Sequence, residues 1–377
     1  MAGALVATGG FFWLYGANDR DLDRACGGML SVPDVRAVLG DDHLDVSDES
    51  GEGVDTCTVN GAGSDGGELR VSIVDTTNAG RPQKDLLPSL PNAGDDTLPV
   101  PVGHGWSGVL GADASDEREA TATLLLTCDR RGAKSAVPDG LLITVETKHD
   151  APLDDPANRP GYVRVATGTA KEAATAYGCR ADLGRPVHTV GLPVTEEEFE
   201  PLAGVTGTCA GVPGYAGAVA AAGGSAAAGA VVGGTARETA RDGAPRETCL
   251  LGEDGTGAER YTLDAYYGPY AAEVWADWRE LEGRGYGDAP ADASAGKLDM
   301  HGTDTGVWAS AQCPGDGEDA KDRQAGGRAI YTLNRSRGSG TERAAPTAAE
   351  RRYEKRALKA FAERSARSHG CAAPTTP

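Results

Sequence analysis

The sequence has few basic residues relative to acidic ones. Its 377 residues include 36 Lys and Arg against 56 Asp and Glu, which gives a formal net charge of −20. A surface with this charge repels the phosphate backbone of nucleic acids, so the composition predicts no nucleic-acid partner. Aromatic residues are also scarce, at 5% of the chain, whereas the 40% hydrophobic fraction is ordinary for a globular protein. The length is sufficient for two domains, each with its own core.

The usual catalytic and metal-binding motifs are also missing. None of the eight cysteines forms a Cys-x-x-Cys pair, and none of the six histidines belongs to a His-Glu-x-x-His motif. The acidic segment from Asp41 to Glu52 offers oxygen ligands of the kind that calcium prefers, but it has no EF-hand spacing and is predicted to be a solvated loop. The sequence therefore predicts no cofactor, no metal site and no catalytic residue, and it favours a protein that is not an enzyme.

The N terminus forms a long uncharged stretch, because no charge occurs before Asp19. As a helix rising about 1.5 Å per residue, residues 1–18 would span roughly 27 Å, close to the ~30 Å hydrocarbon layer of a membrane. Trp13 and Tyr15 lie where such a helix would leave the lipid. The basic segment and the cleavage site of a secretory signal peptide are missing, so we expect an uncleaved transmembrane anchor and a natural start upstream of Met1. The alternative is a buried N-terminal helix of a soluble protein.

The cysteine content indicates the compartment. An even number of cysteines permits complete pairing, and disulfides persist outside the cytosol. Together with the anchor, this predicts a single-pass protein of the cell membrane whose residues after about 19 are extracytoplasmic. A second uncharged stretch, Ala216 to Ala236, would place later cysteines in the cytosol if it crossed the membrane, so we expect that it does not. The eight residues are Cys26, Cys57, Cys128, Cys179, Cys209, Cys249, Cys313 and Cys371.

The cysteines also indicate an internal duplication. Each of the last four follows its counterpart among the first four by a nearly constant 183, 192, 185 or 192 residues. The flanking residues agree, since Cys26 and Cys209 both precede a small residue and then a glycine, and Cys57 and Cys249 both follow a threonine. In both halves a Gly-rich loop and then a strand follow the second cysteine.

The end of each half shows the same helix signals. Thr169 to Glu172 and Thr347 to Glu350 both have the pattern of a capping box, and each is predicted to open a helix that ends at a Gly-Cys pair. The sequence therefore predicts an α+β protein with two tandem duplicated domains, each an antiparallel sheet with a first and a closing helix. The predicted boundaries are residues 1–18 for the anchor, 19–180 for the first domain, 181–206 for a linker and 207–377 for the second domain.

Four cysteines in each domain permit three pairings, and the spacings alone do not choose among them. We favour the first with the second and the third with the fourth, because each such pair ties a helix end to a strand, where packed layers bring the backbones close. This predicts the disulfides Cys26–Cys57, Cys128–Cys179, Cys209–Cys249 and Cys313–Cys371.

The cysteine-containing segments carry a resemblance. Cys26 to Leu30 with Val35 to Gly40, followed by Thr56 to Val59, resembles the helix-then-cysteine-strand unit of actinobacterial proteins of unknown activity, both secreted and membrane-tethered. The second copy, Gly191 to Gly211, is similar to the same group. The resemblance implies an anchored extracytoplasmic protein whose α+β domains are held by disulfides, and it implies no particular activity.

Two segments stand out as a possible binding surface. One is aromatic and contains Tyr266, Tyr267, Tyr270, Trp275, Trp278 and Tyr286. The other is the predicted closing helix 348–369, whose basic side includes Arg352, Lys355, Arg356 and Lys359. Exposed aromatic side chains stack on sugars or anchor peptides, and a basic stripe attracts anionic lipids or wall polymers. The competing expectations are that the aromatic segment is core and that the basic helix docks on its own acidic domain.

These observations predict a membrane-anchored extracytoplasmic protein with a non-catalytic binding or scaffolding role at the cell envelope. The expected partners are the lipid bilayer, through the N-terminal helix, and an envelope protein or a wall polymer. The alternatives are an envelope enzyme that uses carboxylates as general acid and base, and a structural spacer that faces the wall.

Overall fold

The computed structural model describes residues 20–40, 43–51, 53–62, 66–78, 97–112, 118–129, 137–195, 198–214, 234–252, 259–283, 295–300, 303–314, 327–336 and 346–377. They divide into two compact units, the first within Met1–Asn78 and Val100–Leu192, the second within Ala79–Pro99 and Pro193–Pro377. The predicted anchor, residues 1–18, lies outside the described residues. Within the described ranges, no helix is both long enough and apolar enough to cross a membrane.

The elements are numbered along the chain. The strands are β1 Asp45–Gly51, β2 Val54–Asn60, β3 Glu68–Asp75, β4 Thr97–Leu98, β5 Val100–Pro101, β6 Gly108–Ala112, β7 Glu119–Thr127, β8 Gly140–Lys148, β9 Val194–Thr195, β10 Glu200–Pro201, β11 Thr235–Glu238, β12 Arg246–Gly252, β13 Glu259–Tyr266, β14 Ala295–Met300, β15 Thr303–Gln312 and β16 Arg328–Arg335. The helices are α1 Ala25–Gly28, α2 Val32–Leu39, α3 Arg159–Ala176, α4 Pro269–Gly283 and α5 Ala348–Ser368.

The first unit is built on a seven-stranded antiparallel sheet in the order β1-β2-β3-β8-β7-β6-β5. Strand β3 shows why these segments form strands: Leu69, Val71 and Ile73 are buried while Glu68 and Arg70 are exposed, which is the two-residue period of a sheet with one apolar face. The α+β class and the antiparallel sheets predicted from the sequence are therefore confirmed.

Residues 45–51 of the acidic segment predicted as a loop are instead part of this sheet, whereas Asp41, Asp42 and Glu52 lie outside the described residues. Asp45–Gly51 forms the edge strand β1, which pairs with β2 along its whole length. Most of its side chains are exposed. Charged residues suit an edge strand because they oppose pairing with another chain. Acidic composition alone did not reveal the pairing partner.

Helix α3 closes the first unit, but it begins ten residues before the predicted capping box. Thr169 lies inside the helix and is fully buried, and its Oγ1 accepts a hydrogen bond from the backbone N–H of Ser31 at 3.3 Å. Pro160 occupies the first turn, where its fixed φ is compatible with a helix. Tyr162 and Val163 extend the buried face ahead of Thr169, which explains the earlier start.

The second unit has a sheet in the order β10-β11-β12-β13-β16-β15-β14. The first six strands of the first sheet have the order β1-β2-β3-β8-β7-β6, and the last six of the second have the order β11-β12-β13-β16-β15-β14. When each set is renumbered along the chain, both have the same order, 1-2-3-6-5-4. A first helix, predicted in the alanine-rich stretch after Cys209, falls on residues 215–233, outside the described residues. A separate two-stranded sheet pairs β4 with β9.

Helix α5 closes the second unit and begins where the sequence predicts. Thr347 Oγ1 accepts from the backbone N–H of Glu350 at 3.2 Å, and Glu350 Oε2 accepts from the backbone N–H of Thr347 at 2.7 Å. This reciprocal capping box satisfies two N–H groups that have no partner within the helix. The buried face of α5, which includes Tyr353, Leu358 and Phe361, lies in the core of the second unit.

All four predicted disulfides are confirmed. Their Cα–Cα distances are 5.1 Å for Cys26–Cys57, 4.9 Å for Cys128–Cys179, 5.1 Å for Cys209–Cys249 and 4.0 Å for Cys313–Cys371. No cysteine of the chain is left unpaired.

The two closing helices end in the same way. Gly178 and Gly370 have φ values of +65° and +67°, a left-handed conformation that glycine adopts without a Cβ clash. The next residue then bonds back across the last turn: Cys179 N–H donates to Ala174 O at 2.8 Å, and Cys371 N–H donates to Ala366 O at 2.9 Å. This helix end places each cysteine beside its partner, which directly follows a strand, so the predicted Gly-Cys terminus is also confirmed.

Each unit contains an equivalent hydrogen bond that the sequence analysis did not predict. In the first unit, the carboxylate of Asp48 accepts from the backbone N–H of Cys26 at 2.7 Å, and Asp48 lies opposite Cys57 on the neighbouring strand. In the second unit, the carboxylate of Glu238 accepts from the N–H of Cys209 at 2.7 Å, and Glu238 lies opposite Cys249. Each unit therefore places one acidic residue at the same position beside its first disulfide.

The segment predicted as a linker, residues 181–206, packs against the cores of the units to which its parts belong. Val187 and Val190 are buried in the first core, and Leu202 is buried in the second. The buried guanidinium of Arg159 donates to Val190 O at 2.9 Å, and the indole N–H of Trp106 donates to Arg185 O at 2.9 Å. Residues up to Leu192 thus belong to the first unit, and residues from Pro193 belong to the second.

Gly168 generates a stability prediction, because it lies on α3 where α2 approaches. A Cβ at this position would lie 2.4 Å from both Asp34 Oδ2 and Ser31 Oγ. We expect Gly168→Ala to lower the free energy of unfolding by about 1–3 kcal/mol through overpacking. Gly161→Ala is the matched control on the same helix, since its nearest neighbour would be Val38 at 3.5 Å. The control should be neutral or stabilising by about 0.5–1 kcal/mol. Urea unfolding followed by circular dichroism measures both, and equal effects would contradict this account of the helix contact.

Candidate binding surface

The last helix presents a basic face to solvent. Arg352, Lys355, Arg356 and Lys359 are all exposed and follow the three- and four-residue spacing of one helix face. Arg364 and Arg367 are exposed further along. The sequence-predicted basic residues are therefore on the surface and on one side of a single element.

The opposite side of α5 explains this orientation. Tyr353, Ala357, Leu358 and Phe361 are buried, and the helix lies against β13, β15 and β16. The carboxylate of Glu354 is buried with them and accepts from Arg335 Nε at 2.7 Å. The helix thus docks on its own sheet through its apolar side, while the basic side faces outward.

The basic face has little compensation from its own helix. Lys359 Nζ lies 3.8 Å from Glu363 Oε1, with side-chain exposures of 58% and 42%. An exposed pair of this kind contributes at most a few tenths of a kcal/mol, about 0.3–0.5 in helices. The chain as a whole has a net charge of −20, so a row of exposed cations on one helix face is a local exception to its acidic composition.

The aromatic segment is divided between core and surface. Tyr267 and Tyr270 are buried, at 7% and 5% exposure, whereas Tyr266, Trp275 and Trp278 are partly exposed. Tyr286 lies outside the described residues. Trp275 and Trp278 on α4 contact the ring of Trp308, which is fully buried on β15, with centroids 5.6 and 5.2 Å away.

One face of this tryptophan cluster is already occupied. The guanidinium of Arg328 lies 4.6 Å from the centroid of the Trp275 ring. Rings that are engaged by one another and by a cation offer less free stacking surface to a ligand. The aromatic segment therefore mainly attaches α4 to the sheet, and the basic helix face is the stronger candidate for binding.

The structure also contains a buried polar cluster that sequence reasoning missed. Glu247 lies on β12 and is 2% exposed. Its Oε2 accepts from Ser365 Oγ at 2.6 Å, and its Oε1 lies 3.2 Å from His369 Nε2. Ser365 Oγ also lies 2.5 Å from Tyr267 Oη, and the rings of Tyr267 and His369 stack with centroids 3.6 Å apart. Arg241 completes the cluster, with its Nε 3.7 Å from Glu247 Oε2.

The charge state of Glu247 follows from these neighbours. Burial alone would raise the pKa of its carboxyl group, but the hydrogen bond from His369, the charge of Arg241 and the hydrogen bond from Ser365 outweigh burial, and the pKa is lowered. Burial raises the pKa of the Tyr267 phenol. Glu247 is therefore ionised and Tyr267 neutral at neutral pH.

This cluster holds α5 on the sheet and does not have the form of an active site. Ser365 is fully buried, so a substrate has no access to its hydroxyl group. The residues come from three distant segments, and the four-residue spacing of Ser365 and His369 on one helix face was the only local signal. Within the described part of the chain, no group of three or more His, Cys, Asp or Glu side chains is arranged to hold a metal ion.

Comparison of the chain with protein-family models, with curated protein sequences and with solved structures gave no match. The functional argument therefore rests on the side chains described above.

The lowered pKa of Glu247 leads to a prediction about acid stability. A carboxyl group whose pKa is lower in the folded state contributes stability above its unfolded value, near 4.5, and loses that contribution as the pH falls through the folded value. We expect the free energy of unfolding to fall steeply below about pH 4.5 in the wild type and less steeply in Glu247→Gln. Glu172→Gln, at an exposed position on α3, is the control and should follow the wild type. Urea titrations between about pH 3 and 7 test this, and parallel profiles for wild type and Glu247→Gln would show that the cluster is not the source.

Proposed function

We propose that this protein is anchored in the membrane by its N-terminal segment, lies outside the cytoplasm and has a non-catalytic binding role at the cell envelope. Its binding surface is the basic face of α5, formed by Arg352, Lys355, Arg356 and Lys359, and its ligand is an anionic wall polymer. The observation that carries this proposal is the exposure of these four cations in two helical turns of a strongly acidic protein.

The packing of α5 favours a polymer over a lipid surface. A helix that lies in a membrane interface inserts its apolar face among the lipids. In α5 that face, including Leu358 and Phe361, is buried in the protein core. Only the charged side remains available, and a row of cations on a rigid helix suits a ligand with repeated negative charges.

The disulfides support the proposed compartment. All eight cysteines are paired, and cross-links of this number are typical of proteins that fold in oxidising surroundings. This agrees with the expectation of a membrane anchor in residues 1–18 and with the resemblance to membrane-tethered actinobacterial proteins.

We also infer that the two units arose by tandem duplication. The shared strand order, the acidic residue beside the first disulfide and the Gly-Cys helix end support this. The units differ in the outer face of the closing helix. Helix α3 exposes one cation, Lys171, followed by Glu172 and Thr175, whereas α5 exposes the basic row. The binding surface is therefore a property of the second copy.

Two of the buried carboxylates, those of Glu247 and Asp264, give no support to the enzyme alternative. Glu247 has a lowered pKa, whereas a general acid requires a raised one. Asp264 is 3% exposed and accepts from Thr248 at 2.7 Å and from Arg246 at 3.1 Å. Both groups are committed to structural contacts. If the protein were only a structural spacer, the exposed basic face of α5 would have no role.

The binding surface can be tested by charge neutralisation. We expect the variant with Arg352, Lys355, Arg356 and Lys359 all changed to Gln to bind immobilised poly(glycerol phosphate) at least about tenfold more weakly, because each cation near an anionic surface contributes roughly 1 kcal/mol. The control neutralises the same number of exposed cations in the first unit, namely Arg24, Arg70, Lys171 and Arg185.

Binding is measured by surface plasmon resonance at low and high salt, with neutral dextran as the reference surface. The wild type and the control variant should bind the polyanion and lose it as salt rises. Equal loss in both variants would mean that overall charge, and not the α5 face, governs binding. Retention by anionic vesicles alone would replace the polymer with a lipid surface.

The anchor needs a separate test. We expect the full chain to sediment with membranes and to resist extraction by carbonate, and a chain that begins at Asp19 to be released, because residues 1–18 are long enough to span most of the hydrocarbon layer. A full chain that is soluble after cell lysis would support the buried-helix alternative.

A further inference from the structure

The four disulfides differ in their exposure. Three of them have both cysteines buried, whereas Cys313 and Cys371 are partly exposed. The residues on either side of these two cysteines are all exposed, namely Gln312, Pro314, Gly370 and Ala372. A thiolate must reach a sulfur atom before it can exchange with a disulfide, so access is one of the factors that set the rate. Cys313–Cys371 is therefore the disulfide at which an approaching thiolate meets the least protein cover.

The first unit contains a matched disulfide that is covered. Cys128–Cys179 ties the end of α3 to the end of β7, just as Cys313–Cys371 ties the end of α5 to the end of β15. Its cysteines are only 2% and 6% exposed. The chain that follows it continues along the first core, where Val187 and Val190 are buried. In the second unit, by contrast, three residues that follow the helix end are exposed: Ala372, Ala373 and Thr375.

The segment after Cys371, which we call the C-terminal tail, pairs with the end of β15. The N–H of Ala372 donates to Gln312 O at 2.7 Å, and the N–H of Thr375 donates to Ser310 O at 3.0 Å. Strand β16 occupies the other side of β15 at these positions, and β14 pairs with an earlier part of β15. The tail thus continues the sheet edge that β14 leaves.

The disulfide and these hydrogen bonds hold the tail in different ways. Two backbone hydrogen bonds at an exposed sheet edge open readily, because water replaces them at little net cost. The disulfide instead fixes the residue just before the tail beside β15 covalently. Loss of the covalent link would therefore leave the tail held by contacts that open on their own.

We propose that Cys313–Cys371 is a site of thiol–disulfide exchange in the folded protein, and that its reduction releases the C-terminal tail from β15. The co-reactant is a dithiol, of the kind that thiol–disulfide oxidoreductases carry. One of its thiolates attacks the Sγ atom of one cysteine, forms a mixed disulfide and displaces the other cysteine as a thiolate. Its second thiolate then attacks the mixed disulfide and displaces the first cysteine. The dithiol leaves as a disulfide, and two electrons have passed to the protein, whose two thiolates take up protons from solvent.

The helix itself should stay in place after reduction. Leu358 and Phe361 hold the middle of α5 in the core, and Ser365 Oγ donates to Glu247 Oε2 at 2.6 Å near its end. The exchange is thus expected to act on the tail and not on the basic row of α5. The inference does not rest on the proposed function, and it stands whether or not α5 binds a polymer.

The test uses the purified full chain, folded and without denaturant, and dithiothreitol as the dithiol. Free thiols are blocked with N-ethylmaleimide after increasing times and located by peptide mass spectrometry. We expect Cys313 and Cys371 to be labelled at least about tenfold faster than Cys128 and Cys179, because a buried disulfide reacts only after the protein opens.

A second measurement separates direct attack from attack through unfolding. Urea at about 1 M favours openings that expose buried surface. The reduction rate of Cys313–Cys371 should be proportional to the dithiothreitol concentration and nearly unchanged by this urea, whereas that of Cys128–Cys179 should rise. The proposal is overturned if both disulfides are reduced equally fast, or if urea accelerates both to the same extent.

Release of the tail is measured by amide hydrogen exchange. In the selectively reduced chain, and in the double variant Cys313→Ser and Cys371→Ser, we expect the amides of Ala372 and Thr375 to exchange at least about tenfold faster than in the oxidised chain. The amide of Ile330, in the middle of the second sheet, is the control and should keep its protection. Unchanged protection of the tail would overturn its release, and equal loss at Ile330 would show that the disulfide supports the whole unit instead.

Discussion

The disulfide between the closing helix and the sheet is the constraint on which each unit depends. The interfaces beneath these helices contain several alanines, including Ala166, Ala170, Ala357 and Ala362, and each alanine buries less apolar area than a larger apolar side chain would. Cross-links that close segments of 31 to 58 residues compensate by restricting the unfolded chain, by about 3 to 4.5 kcal/mol each. A protein with few aromatic residues can thereby hold its helices on its sheets.

This attachment determines which part of the second unit is available for binding. The disulfide Cys313–Cys371 and the Glu247 cluster both act at the C-terminal end of α5, and the aromatic and aliphatic core holds its middle. A helix held in this way cannot turn its apolar side outward. Its basic side is consequently presented on a rigid element, which would lower the entropic cost of binding the proposed polyanionic ligand.

The two capping-box patterns show where local sequence reasoning succeeds and where it fails. Thr347 adopts an extended conformation at the start of α5, and the reciprocal hydrogen bonds form as expected. Thr169 has the same spacing to a glutamate, yet it lies within α3, because the chain before it already has a helical apolar face that the core buries. A residue can act as an N-cap only where the chain enters a helix. A four-residue pattern does not show whether the residues before it are already helical.

The sequence by itself determined the α+β class and the glycine helix ends at Gly178 and Gly370, because these depend on local patterns. The cysteine spacings left three pairings open in each domain, and the expected closeness of helix ends and strands selected the pairing that the structure has. Only the tertiary structure decided which aromatic residues of the second unit are buried and how Arg241, Glu247 and Ser365 meet. Arg241 and Glu247 are near each other in the chain, but Ser365 lies 118 positions from Glu247. Their contact follows from the docking of α5 on the sheet, a long-range packing choice that no local pattern encodes.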